Sequence, residues 1–124
     1  MGTYNEYLKG MLEKIIESYA ILSDLDDKPG DVEIIKTQIL KIRGFLQVLA
    51  NKLDEGRYPS LNIKNLQKKA RSYLESYYFE KEIDNVSMIY ADDPGRLKNL
   101  RLVILESLDD KKMMEDITEM AREI

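Results

Sequence analysis

From Thr3 to about Leu25, apolar residues fall at Tyr4, Tyr7, Leu8, Met11, Leu12, Ile15, Ile16, Tyr19 and Leu22, with charged residues between them. Spacings of three and four follow the turn of an α-helix, so this segment predicts an amphipathic helix with Thr3 as its N-cap. Asp24-Leu-Asp-Asp-Lys-Pro-Gly30 breaks the period with turn residues. A second helix is expected from a capping Asp31 to about Asp54, with Gly56 beyond it as a stop. Its residues Ile35, Ile39, Ile42, Leu46, Leu49 and Leu53 alternate by four and three, and Ile34, Phe45 and Val48 widen that stripe. A helix this apolar is expected at the centre of a bundle, touching more than one neighbour.

Arg57-Tyr-Pro-Ser60 reads as a loop, and Ser60 or Asn62 starts a third helix. Ile63, Leu66, Ala70, Tyr73, Leu74, Tyr77 and Tyr78 form its buried side, and the pattern carries it to about Asp84 or to Tyr90. Asp93 and Pro94 mark a new N-cap and first helical residue. The fourth helix then buries Leu97, Leu100, Ile104 and Leu108. Asp109 or Asp110 is expected to cap a short last helix bearing Met113, Met114, Ile117, Met120 and Ile124. These elements predict an all-α fold over residues 1–124: one domain, a four- to five-helix bundle with mostly antiparallel neighbours.

Composition narrows the chemistry. The chain has no Cys and no His. Disulfides, thiolate metal sites and thiol catalysis are therefore excluded, along with the commonest general base and transition-metal ligand. Asp24-x-Asp26-x-Lys28-x-Gly30 only faintly matches a calcium loop, because Lys28, Pro29 and Ile35 stand where that loop needs an oxygen ligand, a glycine and a closing glutamate. Glu13 with Glu17, Glu80 with Asp84, and Glu115 with Glu119 recur at helical spacing, but opposite the apolar stripes, as solvated surface pairs do. No phosphate-cradling glycine loop is present. The chain is expected not to be an enzyme and to hold no cofactor or metal.

Charge is unevenly placed. Between Lys36 and Ser72 nine cations face two anions, a net +7, while residues 1–35 carry −5 and residues 73–124 carry −6 of the total of −4. Lys64, Lys68 and Arg71 stand at i, i+4 and i+7, one stripe of the third helix. Lys36 and Arg43 form a second stripe on the preceding helix, and Arg57 in the intervening loop could join the two. Such a face attracts polyanions because each neutralised phosphate releases counterions. The competing reading is that these cations pair with the acidic first and last helices. Tyr58, beside Arg57, is the aromatic best placed to stack on a base, whereas Tyr73, Tyr77 and Tyr78 suit the core.

Two short stretches carry partial likenesses. Lys41-Ile-Arg43 followed by Val48-Leu-Ala50 resembles a stretch of helical replication-complex subunits of the GINS type, whose small β-domain has no counterpart here. Thr37-Gln38-Ile39 with Tyr77-Tyr78 resembles the helical small subunits of type III CRISPR effectors. Both stretches are ordinary for a helix, and no family is assigned from them. They illustrate a non-catalytic subunit that contacts nucleic acid or its handlers.

No apolar run reaches the roughly 18–20 residues of a membrane span, and charges interrupt any signal-peptide core near the start, so a cytoplasmic protein is expected. The reading that follows is an interaction module or small subunit. Its basic face at Lys36, Arg43, Arg57, Tyr58, Lys64, Lys68 and Arg71 meets an acidic partner, either nucleic acid or another protein subunit. The alternative is a protein-docking bundle, such as a homo-oligomer or adaptor, with no nucleic-acid role.

Overall fold

The computed structural model describes residues 3–52 and 61–124, and the side chains of 6–51 and 63–124. Arg57 and Tyr58 therefore lie outside the described residues. The rest is an all-α bundle: α1 Thr3–Asp24, α2 Asp31–Lys52, α3 Leu61–Ser76, α4 Glu80–Ile89, α5 Pro94–Asp109 and α6 Met113–Glu123, with a 3₁₀ turn Asp110–Lys112 before α6. No helix among the described residues is long and apolar enough to cross a membrane.

The core is continuous. Leu8, Leu12, Ile15 and Leu22 of α1 meet Ile35, Ile42, Leu46 and Leu49 of α2, each fully buried. Burying one such side chain stabilises a fold by about 1.5–3 kcal/mol, so the apolar stripes dictate the packing. As its sequence predicts, α2 is central, packed against α1, α3, α4 and α5. Its flanks are less buried than its stripe suggests: Phe45 and Val48 are half-buried, and Ile34 is exposed.

The α1–α2 turn is locked twice. The Asp31 amide donates to the Lys28 carbonyl at 3.0 Å, and the Lys28 amide donates back to Asp31 Oδ2 at 3.1 Å. Asp31 is thus the first residue of α2 rather than its N-cap, with a carboxylate that closes the preceding turn. Gly30 sits at φ +95°, where a Cβ would be strained. Arg101 of α5 grips Asp27 through Nε at 2.8 Å and Nη2 at 3.0 Å, which pins this turn to the bundle.

The segment predicted as one third helix is two. A continuous helix would carry Phe79 onto the arc of Ser72 and Ser76, away from the buried stripe of Ile63, Leu66, Ala70 and Tyr73. Breaking at Tyr77–Phe79 turns Phe79 inward to 8 % exposure, and α4 then buries Ile83 and Val86. Burial of an aromatic ring outweighs the few backbone hydrogen bonds that the break loses.

Two expected caps fare differently. Asp93 Oδ1 accepts from the amides of Gly95 and Arg96, with Pro94 at the first turn, as read from the sequence. Neither Asp109 nor Asp110 caps α6: Lys112 holds that position in the left-handed region, without a side-chain cap. The two carboxylates instead accept from Tyr19 (2.7 Å) and Tyr77 (2.9 Å), tying α1 and the end of α3 to this corner.

Candidate functional site

On α3 the buried residues Ile63, Leu66, Ala70 and Tyr73 fix the helix's rotation, and Tyr73 donates to Ser107 Oγ at 3.2 Å because that hydroxyl spends its proton on the Ile104 carbonyl. The opposite arc is therefore turned to solvent. Lys64, Lys68 and Arg71 all lie on it and all are exposed, within about 60° at 100° per residue. Among the described residues no carboxylate pairs with Lys64 or Lys68. The fourth α3 cation, Lys69, points to the other flank and pairs with Asp116 of α6.

Arg71 has a second task. Its Nε and Nη2 both donate to the carbonyl oxygen of Ala50, at 3.0 and 2.6 Å, in the last turn of α2. Gln67 Nε2 donates to the neighbouring Leu49 carbonyl at 3.1 Å. The last four carbonyls of a helix have no partner within it, and its C-terminus carries partial negative charge, so a guanidinium there satisfies both needs.

Arg43 does the same in the other direction. Its Nη1 donates at 2.6 Å to the Tyr77 carbonyl, just past the end of α3, and its guanidinium carbon lies 5.4 Å from the centre of the Tyr78 ring. α2 and α3 thus close each other's C-terminal ends with an arginine apiece. Late residues of α3 meet earlier residues of α2 in these bonds, so the two helices run antiparallel.

The basic residues of α2 have acidic neighbours of their own. Lys36 and Arg43 line a groove between α2 and the α3–α4 junction, of about 130 Å3, whose opposite wall carries Glu80 and Asp84. Its floor is apolar, made by Ile39, Phe79 and Ile83, all buried. Leu40 and Tyr78 form its lips, 60 % and 63 % exposed. Anions on the far wall make this groove a poor seat for a polyanion. The sequence reading missed it, since Leu40 falls outside the apolar stripe and Tyr78 was assigned to the core. A leucine off the stripe was the available signal.

Two aromatics that follow the basic stripe in sequence are engaged. Tyr73 is buried, and Tyr77 stacks on Phe79 while donating to Asp110, which raises its pKa. Neither offers a free face beside Lys64 and Lys68.

Among the described residues no group of three or more His, Cys, Asp or Glu is arranged to hold a metal ion. In the turn that faintly resembles a calcium loop, Asp27, which falls between the ligand positions of that pattern, is held by Arg101, which keeps its carboxyl below the usual carboxylate range. The recurrent carboxylate pairs Glu13–Glu17, Glu80–Asp84 and Glu115–Glu119 are all exposed.

Comparison with protein-family models, curated proteins and solved structures finds no match to this chain. The two short likenesses to known helical subunits gain no support from it.

Proposed function

We propose that this chain is a non-catalytic interaction module, a small subunit of a larger assembly, whose α3 face meets an acidic partner. The observation that carries this reading is the exposed pair Lys64 and Lys68 on one arc, with no carboxylate of the described residues holding either. Had these lysines existed to hold the bundle together, the acidic helices would reach them, as α6 reaches Lys69.

Lysines on an open helix face recognise phosphate or carboxylate as point charges. Among the described residues Tyr73 and Tyr77 are engaged elsewhere, so at Lys64 and Lys68 it is charge that supports partner recognition, and nucleic acid is met there through its backbone. An acidic protein segment fits the same face. Arg71 adds positive charge at its edge while it closes α2.

Fluorescence anisotropy with labelled single- and double-stranded oligonucleotides and a polyglutamate peptide tests the proposal. At low salt at least one probe should bind. For duplex DNA, log K should fall with log salt at a slope of about −2 to −3, as two or three phosphate contacts require. Failure of every probe to bind at low salt overturns it.

A further inference from the structure

The α2–α4 groove is apolar at its floor, carries two large exposed apolar lips, and is positive on one wall and negative on the other. The α3 reading above makes no use of it. Covering Leu40 and Tyr78 removes exposed apolar surface from water, which is favourable.

The register of the two walls is fixed by contacts. At one end Arg43 lies against Tyr78, and at the other Ser87 Oγ donates to Glu33 at 3.3 Å. α2 and α4 are therefore antiparallel. Lys36 is three residues from Glu33 and Asp84 three from Ser87, so these two are level, and Glu80, two residues past Tyr78, is the carboxylate of the groove nearest the level of Arg43. Neither pair closes as a salt bridge within the chain, although Tyr78 donates its hydroxyl to Glu80.

We propose that a second copy of this chain docks here, about a two-fold axis running along the groove. Such an axis exchanges the left and right walls while preserving level. Lys36 of one copy then meets Asp84 of the other, and Arg43 meets Glu80, each pair twice. The Leu40 and Tyr78 lips pack across the axis. A two-fold interface must be complementary to itself, and opposite charges at matched levels on facing walls are what this axis requires. A polyanion meets repulsion at the acidic wall, and a polycation at the basic one.

Sedimentation velocity over a range of concentrations tests this with wild type, K36E, D84K and an equimolar mixture of the two variants, each checked for folding by circular dichroism. Wild type should dimerise. Each variant alone places like charges opposite each other twice, so its dimer dissociation constant should rise at least tenfold. The mixture should recover dimer, because the two altered walls complement each other. A wild type that stays monomeric at every concentration overturns the proposal. So does dimerisation unaffected by K36E and D84K, or a mixture no more associated than its components. Neither variant touches Lys64 or Lys68, so oligonucleotide binding reports separately on the α3 face.

Discussion

Arg71 donates two hydrogen bonds to the carbonyl oxygen of Ala50, so a residue that the charge pattern marks for a partner also finishes a helix of its own fold. Structural and binding roles of the cations are therefore separable by substitution. R71M should destabilise the protein by about 1.5–3 kcal/mol, the worth of a hydrogen bond to a charged donor, whereas K68M should change stability by less than about 0.5 kcal/mol. Urea unfolding of both variants measures the difference, and equal effects would contradict the assignment.

Arg101 and Asp27 make the second prediction, one that depends on pH. Their side chains are 11 % and 13 % exposed, and the guanidinium holds the Asp27 carboxyl below its ordinary range, chiefly by hydrogen bonding. The folded state thus binds the Asp27 proton less readily than the unfolded state, whose carboxyl titrates near about 3.9. The stabilisation is fully present above that pH and is lost as pH falls through the lowered folded value. R101A should lose about 2 kcal/mol at neutral pH, and its stability should converge on wild type in acid. Denaturant midpoints measured from about pH 7 down to about pH 2 check this.

Tyr19 supplies the alkaline counterpart. Partial burial, and then its hydrogen bond to Asp109, push its pKa up to about 12. The folded state keeps this proton after the unfolded state, with its ordinary value near about 10, has begun to lose it, so stability from this group falls as pH rises from about 10 to 12. Subtracting the ultraviolet titration of Y19F from that of wild type should leave a phenolate transition near the upper end of that window. A difference centred near about 10 would show that the Asp109 contact is absent in solution.

Gly44 lies inside α2 with nothing within 4 Å of where a Cβ would stand. Glycine costs a helix interior roughly 0.5–1 kcal/mol relative to alanine, so G44A should stabilise the protein by about that amount. Thermal unfolding tests it. A loss of stability would mean that this position is covered, by another copy or by a neighbour.

Much of the fold was legible because apolar spacing alone sets helix rotation: the stripe Ile35, Ile39, Ile42, Leu46, Leu49 is buried as read. The Asp93–Pro94 start was legible for the same local reason, since both cap and first-turn signals lie within four residues. The break at Tyr77–Phe79 was not, because no Gly or Pro marks it. It follows from a tertiary gain, the burial of Phe79, combined with a carbonyl closed by Arg43 from another helix. The missed caps of α6 have the same origin, with Asp109 and Asp110 drawn to Tyr19 and Tyr77 across the bundle. Charge spacing places Lys64, Lys68 and Arg71 on one arc because they share one helix, and that arc is exposed. The sequence reading joined them to Lys36 and Arg43 only by assumption, and those two line a groove with an acidic far wall in which Lys64, Lys68 and Arg71 take no part.

The central claim is that Lys64 and Lys68 contact an anionic partner without supporting the fold. The most direct measurement compares wild type and K64E/K68E by anisotropy at about 50 mM salt, against the probe that wild type binds most tightly, with thermal unfolding recorded on the same samples. The double variant should lose at least about tenfold in affinity, as expected when two phosphate or carboxylate contacts become repulsive, while its melting temperature stays within about 2 °C of wild type. Unchanged affinity in a folded K64E/K68E variant would contradict the claim.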